Sequence, residues 1–317
     1  MHTQSIFKLA LAAAVLFATV PAWAGAGQGH AHGHSHEVAQ AKAPNITIGA
    51  QPVQGKVTML HGVGGFTGGN VAVLPGPDGI LIVDDKLEGF GEKLAAALKP
   101  FGDGTPKYVL NTHWHFDHVG GNKRFASAVI VAHANVRKDM SVDQVFKSLN
   151  KEIPAAPPEA LPDVTYNDRL TIHFNGEEVQ LHHFPGGHTN GDTVVYFKES
   201  NVLHLGDLFF NGMFPFADIE HGGNALVMTR NIQEIINRFP ADAKVIPGHG
   251  QLASMDDLKA YLDMLNATTM FVQSAVMDGK DLKAIQAGGL PEKWKKWEWS
   301  FISEATWIAL IHASLNK

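Results

Sequence analysis

Apolar residues recur along this chain in short runs punctuated by glycine and proline, a pattern of buried strands interleaved with helices. Val57–Leu60, Asn70–Leu74 and Ile80–Val83 read as strands, and Gly76-Pro77-Asp78-Gly79 is a turn between the last two. Helical spacing follows over Leu87–Leu98, then a strand at Tyr108–Asn111, a short helix at Asn122–Phe125 and a strand at Val129–Ala132. His133–Phe146 is expected to be helical and the proline-rich Pro154–Pro162 irregular. Strands resume at Leu170–Phe174, Val179–Phe184, Thr193–Phe197 and Val202–Leu205. A helix is expected over Ala225–Arg238 and a last strand over Lys244–Pro247, with mainly helix beyond Ala253. Meander strands mixed with βα units predict an α/β layer protein, and the order strands, helices, strands, helices suggests two similar halves.

The N-terminus has a different pattern. Lys8 precedes an apolar run, Leu9–Val20, and Ala22-Trp23-Ala24 offers the small residues of a cleavage site. Residues 1–24 therefore read as an export signal, with cleavage near Ala24 and a periplasmic or secreted product; an uncleaved anchor is the rival reading. No other run is long enough to insert stably in a membrane. Residues 25–47 have almost no large apolar side chains and read as a linker, which leaves 48–317 as the folded domain, with a helical tail from about 253. Inside the linker, His30, His32, His34 and His36 alternate with small residues, either as a metal-gathering arm or as a solvated tail.

Composition narrows the chemistry. The chain has 317 residues, 45% of them hydrophobic, and can bury a large core. A formal charge of −6 argues against a nucleic-acid partner and leaves a small-molecule substrate, with the oligomeric state open. There are 18 histidines and no cysteine, so disulfides and thiolate ligands are excluded and any metal site must use imidazole and carboxylate.

Such a site is written into Asn111-Thr112-His113-Trp114-His115-Phe116-Asp117-His118, which follows a predicted strand and precedes Gly120-Gly121. Burying His113, His115, Asp117 and His118 without partners would be costly, so a shared ion is the better reading. His188 in Gly186-Gly187-His188-Thr189-Asn190-Gly191-Asp192, Asp207 in Leu205-Gly206-Asp207-Leu208 and His249 in Pro247-Gly248-His249-Gly250 each follow an apolar run beside glycine. Strand ends of this kind are where an open α/β sheet presents its ligands.

HxHxDH, GGHTNGD, GD and PGH in this order resemble the metallo-β-lactamase superfamily over residues 57–250. The resemblance implies a four-layer αββα sandwich with a metal pair between two sheets. It implies that His113, His115 and His188 hold one ion, that Asp117, His118 and His249 hold the other, and that Asp207 bridges them. Asp84 matches a position that orients a ligand histidine. Two zinc ions are expected, and the donor set also accepts iron or manganese. Two ions about 3.5–4 Å apart can share a hydroxide that attacks a carbonyl or phosphoryl centre, with Asp117 orienting it.

Enzymes dedicated to β-lactams usually carry Cys or Ser where Asp207 stands, and one group has a lysine where this chain has Phe210. Asp207 is more similar to the glyoxalase II, lactonase and phosphodiesterase branches, which points to a lactone, thioester or amide-like substrate. A periplasmic β-lactamase and a zinc-buffering protein without turnover are the alternatives.

Other residues carry two readings each. The glycine-rich His61–Gly69 segment is expected to form a mobile loop over the site. Phe209, Phe210, Phe214, Pro215 and Phe216 form either an apolar wall beside the metals or plain core. His61, His221 and Asn224 either reach substrate or cap turns. His204 reads as core or as support for the site, and at most one of His182 and His183 can approach it, since neighbours on a strand face opposite ways. The aromatic tail Trp294–Leu315 reads as a helix docked on the core, with a lid or dimer face as the rival. The basic run Lys293–Lys296 is too short to suggest nucleic acid.

Overall fold

Alternation along the strands decides the layers. In the computed structural model, which describes residues 45–147 and 150–316, β1 (Thr47–Gln54), β2 (Val57–Val63), β3 (Val71–Gly76), β4 (Gly79–Val83), β5 (Tyr108–Leu110), β6 (Val129–His133) and β9 (Val164–Tyr166) form one sheet in that order. β1 to β4 run antiparallel as a meander, whereas β4, β5, β6 and β9 are parallel. A second sheet has the order β10 (Arg169–Phe174), β11 (Glu177–His183), β12 (Thr193–Phe197), β13 (Val202–His204), β14 (Lys244–Ile246) and β15 (Ala253–Ser254), with β13 and β14 parallel.

Ala72, Leu74, Leu81, Val83 and Leu110 point from the first sheet into a core shared with Val179, Leu181, Val195, Phe197 and Val202 of the second. Their strand neighbours Val71, Val73, Ile80, Ile82 and Val109 face outward and are covered by Leu94 and Leu98 of helix α1 (Gly91–Leu98) and by Phe125. On the far side, Val194, Leu203 and Val245 face three helices: α4 (Ala225–Arg238), α5 (Met255–Met277) and α8 (Glu304–Ser314). The period-two strands thus build a helix–sheet–sheet–helix sandwich. Its two sheets are stitched together at one end by backbone bonds Thr193 N→Thr112 O (2.8 Å) and Asn70 N→Gly248 O (2.8 Å).

Several elements depart from expectation. The helix α3 runs only over Ala134–Met140, not His133–Phe146. The His133 side chain accepts from Asn135 N at its start, and the Ser141 hydroxyl donates to Arg137 O at its end. Beyond it, β-branched Val142 and Val145 favour extended chain, and β7 (Gln144–Phe146) pairs with β8 (Lys151–Ile153) as an outlying hairpin. The helix expected from Leu87 begins as a single 3-10 turn, Glu88–Phe90, before α1. β1 was not foreseen as a strand, and Thr47, expected at the end of the linker, is its first residue. Pro154–Pro162 is irregular apart from a 3-10 turn at Pro158–Ala160.

The tail docks on the core. A capping box at Ser254 and Asp257 starts α5, and α6 (Leu282–Gly288) and α7 (Glu292–Lys295) lead back to α8. Trp307, Ile308 and Ile311 of α8 are buried, and Trp307 Nε1 donates to Thr268 Oγ1 at 3.0 Å. No helix among the described residues is long and apolar enough to cross a membrane. The expected signal segment and the His30–His36 tract lie outside the described residues.

Candidate metal centre

The stitched end of the sandwich collects the strand termini. Asp84 follows β4, the Asn111–His115 loop and the one-turn helix α2 (Phe116–Val119) follow β5, Asp207 follows β13 and His249 follows β14, while His188 lies on the turn between β11 and β12. All seven residues singled out from the sequence meet here, in two groups. One is His113, His115, His188 and Asp207; the other is Asp117, His118 and His249. Each residue of a group offers one donor atom, and these atoms lie within 4.8 Å of one another. Asp207 falls in the first group and also faces the second, with Oδ1 3.1 Å from His118 Nε2 and Oδ2 3.3 Å from His249 Nε2.

The outer hydrogen bonds set which ring nitrogen carries the proton. Asp84 Oδ2 can only accept, so His118 Nδ1, 2.7 Å away, donates and its Nε2 lone pair faces inward. Thr112 Oγ1 donates to the same oxygen at 2.8 Å and therefore accepts from His113 Nδ1 at 3.0 Å, which turns the His113 Nε2 lone pair inward as well. His188 Nδ1 donates to the Phe216 carbonyl at 2.6 Å, and His115 Nε2 donates to Asp218 Oδ2 at 2.9 Å. The remaining nitrogens, His188 Nε2 and His115 Nδ1, then face each other as two lone pairs at 2.8 Å. His118 Nε2 similarly faces His249 Nε2 at 3.4 Å, and His113 Nε2 is buried with no hydrogen-bond partner. Converging lone pairs repel one another unless positive charge lies among them, so this donor set fits a divalent cation.

Electrostatics agree. Burial opposes charge on His118, but the carboxylates of Asp207, Asp117 and Asp84 outweigh it and raise the ring's pKa well above the ordinary imidazole value. Burial is likewise outweighed at His249, where Asp207 and Asp117 push the pKa up to about 9. Burial and the neighbouring rings lower His113, and they bring His188 down to about 4. Burial would raise Asp117, yet His118 and His249 hold it at about 2. The cavity between the sheets thus favours positive charge beside Asp117 and Asp207, and neutral imidazoles in the other group.

Two glycines make the cradle. A Cβ on Gly69 would run into the His118 ring, and one on Gly248 into the Asp207 carboxylate. Asp84 and Lys86 adopt left-handed backbone (φ 61° and 72°), strained for residues other than glycine, at the point where the chain leaves β4 for the site.

Sequence reasoning missed Asp218. Its Oδ2 accepts from both His115 Nε2 and His221 Nδ1 (2.7 Å), and its backbone lies 103 residues from His115. Burial would raise its pKa, but the two imidazoles outweigh burial and hold it below the ordinary carboxylate value. Only its side-chain capping of the turn at Ile219–His221 leaves a trace in sequence. Asp192 was also missed; it accepts from His188 N and Thr189 N and fixes the His188 turn, a role its Thr-x-x-Asp spacing could have signalled.

The double readings resolve individually. Phe210 stacks on His249 with ring centroids 5.2 Å apart, and Phe216 sits against His115 and His188, so both wall the centre. Phe209 and Phe214 pack on Tyr261 and Trp307 as core. His204 is buried and holds Asn70 O; His183 stacks on His133; His182 packs on Phe239. His221 buttresses Asp218, and Asn224 caps α4. Phe66, at the tip of the glycine-rich loop, is exposed and stacks over His249.

Comparison with known proteins agrees with this geometry. The family model for the metallo-beta-lactamase superfamily matches residues 64–269. A probable metallo-hydrolase YqgX of Bacillus subtilis is 29% identical over 57% of this chain and 84% of its own length. A hydroxyacylglutathione hydrolase of Ectopseudomonas mendocina is 33% identical over 37% of this chain and 38% of its own length. Among solved structures, the metallo-beta-lactamase from Pontibacter korlensis shares the fold with a TM-score of 0.57 at 19% identity, over 69% of this chain and 99% of that one. With the family model covering most of the described domain and a His/Asp cluster arranged to hold metal, the chain belongs to the metallo-β-lactamase superfamily and is a metal-dependent hydrolase.

Proposed function

We propose that the protein is an exported hydrolase with a two-metal centre, preferentially zinc, acting on a carbonyl compound of the lactone, thioester or amide-like class. The observation that carries this reading is the inward convergence of histidine lone pairs in two groups that share Asp207. Bound there, a pair of divalent cations supplies a water acidic enough to lose its proton near neutral pH and positive charge for the carbonyl oxygen. The chain does the rest. His113, His115 and His188 would hold one ion and Asp117, His118 and His249 the other, with Asp207 within reach of both groups. Asp117 Oδ2, 3.3 Å from His249 Nε2, stays ionised and is placed to orient the water. Phe210, Phe216 and Phe66 exclude bulk water around the reacting carbonyl.

Asp207 at the shared position and Phe210, packed on His249 three residues later, support the thioester and lactone side over β-lactams. The 33% identity to a hydroxyacylglutathione hydrolase supports the same side, although it spans little over a third of that protein. Export rests on the Lys8–Ala24 pattern alone.

Metal analysis of the purified protein, coupled to lactone, thioester, lactam and phosphodiester substrates with and without a chelator, tests the reading. We expect about two equivalents of a transition ion and chelator-sensitive cleavage of a thioester or lactone. Fewer than two equivalents after soaking with zinc would defeat the two-metal centre. Cleavage confined to the lactam arm would transfer the protein to the β-lactamases.

A further inference from the structure

Most of the tail beyond Ala253 packs on the core, but the stretch between α7 and α8 also reaches the rings around the candidate metal centre. It is pinned to the chain that follows Asp207. Phe214 N donates to Trp297 O at 2.7 Å, Trp299 Nε1 donates to Phe214 O at 2.9 Å, and Ile302 beyond them is buried. Both main-chain polar groups of Phe214 are thus spent on the tail.

This clamp sets Trp299 and Phe301 against the aromatic wall of the centre. Trp299 lies against Phe210 with ring centroids 6.2 Å apart, Phe301 against Phe216 at 5.7 Å, and the two tail rings meet edge to face at 5.4 Å. Phe210 in turn stacks on His249 of one ligand group, and Phe216 sits against His115 and His188 of the other. The four rings therefore make one continuous surface that starts at the ligands and runs outward. Exposure rises in the same direction: Phe210 at 1% and Phe216 at 8% are buried, whereas Trp299 and Phe301 keep part of their surface in water. Among the described residues, no lysine or arginine lies over any of these rings. An anionic group laid on this surface would lose water without gaining a partner, whereas an apolar group gains by leaving water. Rings already fixed by main-chain bonds lose little further freedom when a ligand arrives.

We propose that Trp299 and Phe301 determine specificity, by receiving an uncharged aryl or alkyl group attached to the carbonyl that the centre attacks. The proposal rests on the hydrolase reading above and narrows its substrate to one with an apolar acyl side. Both residues lie beyond the 64–269 stretch that the family model matches, so this part of the wall is supplied by the tail.

Two ketones that differ by one ring test it: 4-phenylbutan-2-one and butan-2-one, titrated against the full chain and followed by ligand NMR line broadening. Neither can be hydrolysed, and the ketone they share cancels whatever the centre itself adds to binding. Wild type is expected to prefer the phenyl ketone by about tenfold or more. Trp299→Ala and Phe301→Ala each cut that preference about threefold to tenfold, as for the loss of one aromatic contact, and leave butan-2-one within about twofold. Phe301→Leu, which keeps apolar surface, retains most of the preference. Met277→Ala, which removes an 81% exposed side chain from α5, changes neither ketone. Urea midpoints on the same samples show which variants are folded, and Phe301→Ala carries the test if Trp299→Ala, which also loses the bond to Phe214 O, does not fold. No preference in wild type, an intact preference in folded Phe301→Ala, or an equal fall in Met277→Ala would overturn the proposal. Phenylacetyl and acetyl thioesters of one thiol separate it from the hydrolase reading. Turnover whose acyl preference ignores both tail substitutions defeats the tail assignment alone. Ring-dependent ketone binding by a zinc-loaded protein that cleaves nothing in the substrate panel above defeats the proposed activity alone.

Discussion

Replacing Asp84 with Asn isolates the role of one carboxylate. Asp84 is fully buried, and its two oxygens accept three hydrogen bonds: Thr112 N to Oδ1 at 2.8 Å, and Thr112 Oγ1 and His118 Nδ1 to Oδ2 at 2.8 and 2.7 Å. Asparagine tolerates the left-handed backbone at φ 61°, so the substitution acts through the side chain alone. It has two ways to sit, and each fails differently. With its amide nitrogen toward His118, two donors meet and the ring must move its proton to Nε2, the atom that faces His249 and Asp207. That tautomer cannot bind a cation through Nε2. With the amide nitrogen toward Thr112 N, the tautomer survives but a buried backbone donor meets another donor, at a cost of about 1–3 kcal/mol in stability. Loss of a ligand-orienting partner of this kind lowers metal affinity about 10–100-fold, equivalent to about 1.4–2.7 kcal/mol. Competition against a chromogenic chelator and urea unfolding of the same preparation read the two costs separately. An Asp84→Asn protein with wild-type metal affinity and an unchanged urea midpoint would refute the argument that this carboxylate sets the His118 tautomer.

Three further outcomes follow from other parts of the structure. Phe66→Ala removes an exposed ring stacked on His249 and should raise KM several-fold while changing stability by less than about 0.5 kcal/mol; an unchanged KM would show that the loop does not cover substrate. Trp307→Ala empties a fully buried position beneath α5 and removes the indole donor to Thr268 Oγ1, so chemical denaturation should show a loss of about 3–5 kcal/mol; under 1 kcal/mol would mean that α8 is not integral to the core. Lys86 is buried, donates to Gly69 O, and has its pKa lowered by burial to about 7 from 10.5, with Asp117 and Asp84 opposing the shift. Between those values the unfolded chain binds the extra proton, so the stability of wild type relative to Lys86→Met should rise as pH rises from 7 towards 10.5; a flat or falling difference contradicts the shift.

The fold was legible where one physical force dominated. Strands such as Val71–Gly76 and Gly79–Val83 are buried on both faces, so unbroken apolar runs between turn residues marked them. The His133–Phe146 stretch was misread because its helical and extended halves carry similar apolar spacing. What ends the helix is a local competition, the Ser141 hydroxyl against the next turn of backbone, and what extends the rest is the packing of Phe146 on Trp114, 5.0 Å away between ring centroids. Neither contact has a signature in the order of residues.

The same distinction runs through the site. Ligand candidates were legible because imidazole and carboxylate groups clustered beside glycines at strand ends have few uses other than chemistry. The groups that orient them were mostly not, because a ring N–H accepts any buried oxygen the fold brings near. Here those oxygens are a carboxylate at 84, a threonine hydroxyl at 112, a main-chain carbonyl at 216 and a carboxylate at 218. Only Asp84 and Thr112 sit at the ends of strands that already carried the argument. Asp218 belongs to a turn whose own sequence says only that it caps Ile219–His221. Yet Asp218 does for His115 what Asp84 does for His118, and a single oxygen serves two rings, His115 and His221. His221 therefore lies two hydrogen bonds from the centre, and its replacement by Phe should loosen Asp218 and lower metal affinity through His115 without removing a candidate ligand. A His221→Phe protein with unaltered affinity would show that Asp218 is held firmly enough by its turn, where its other oxygen accepts from His221 N, to orient His115 unaided.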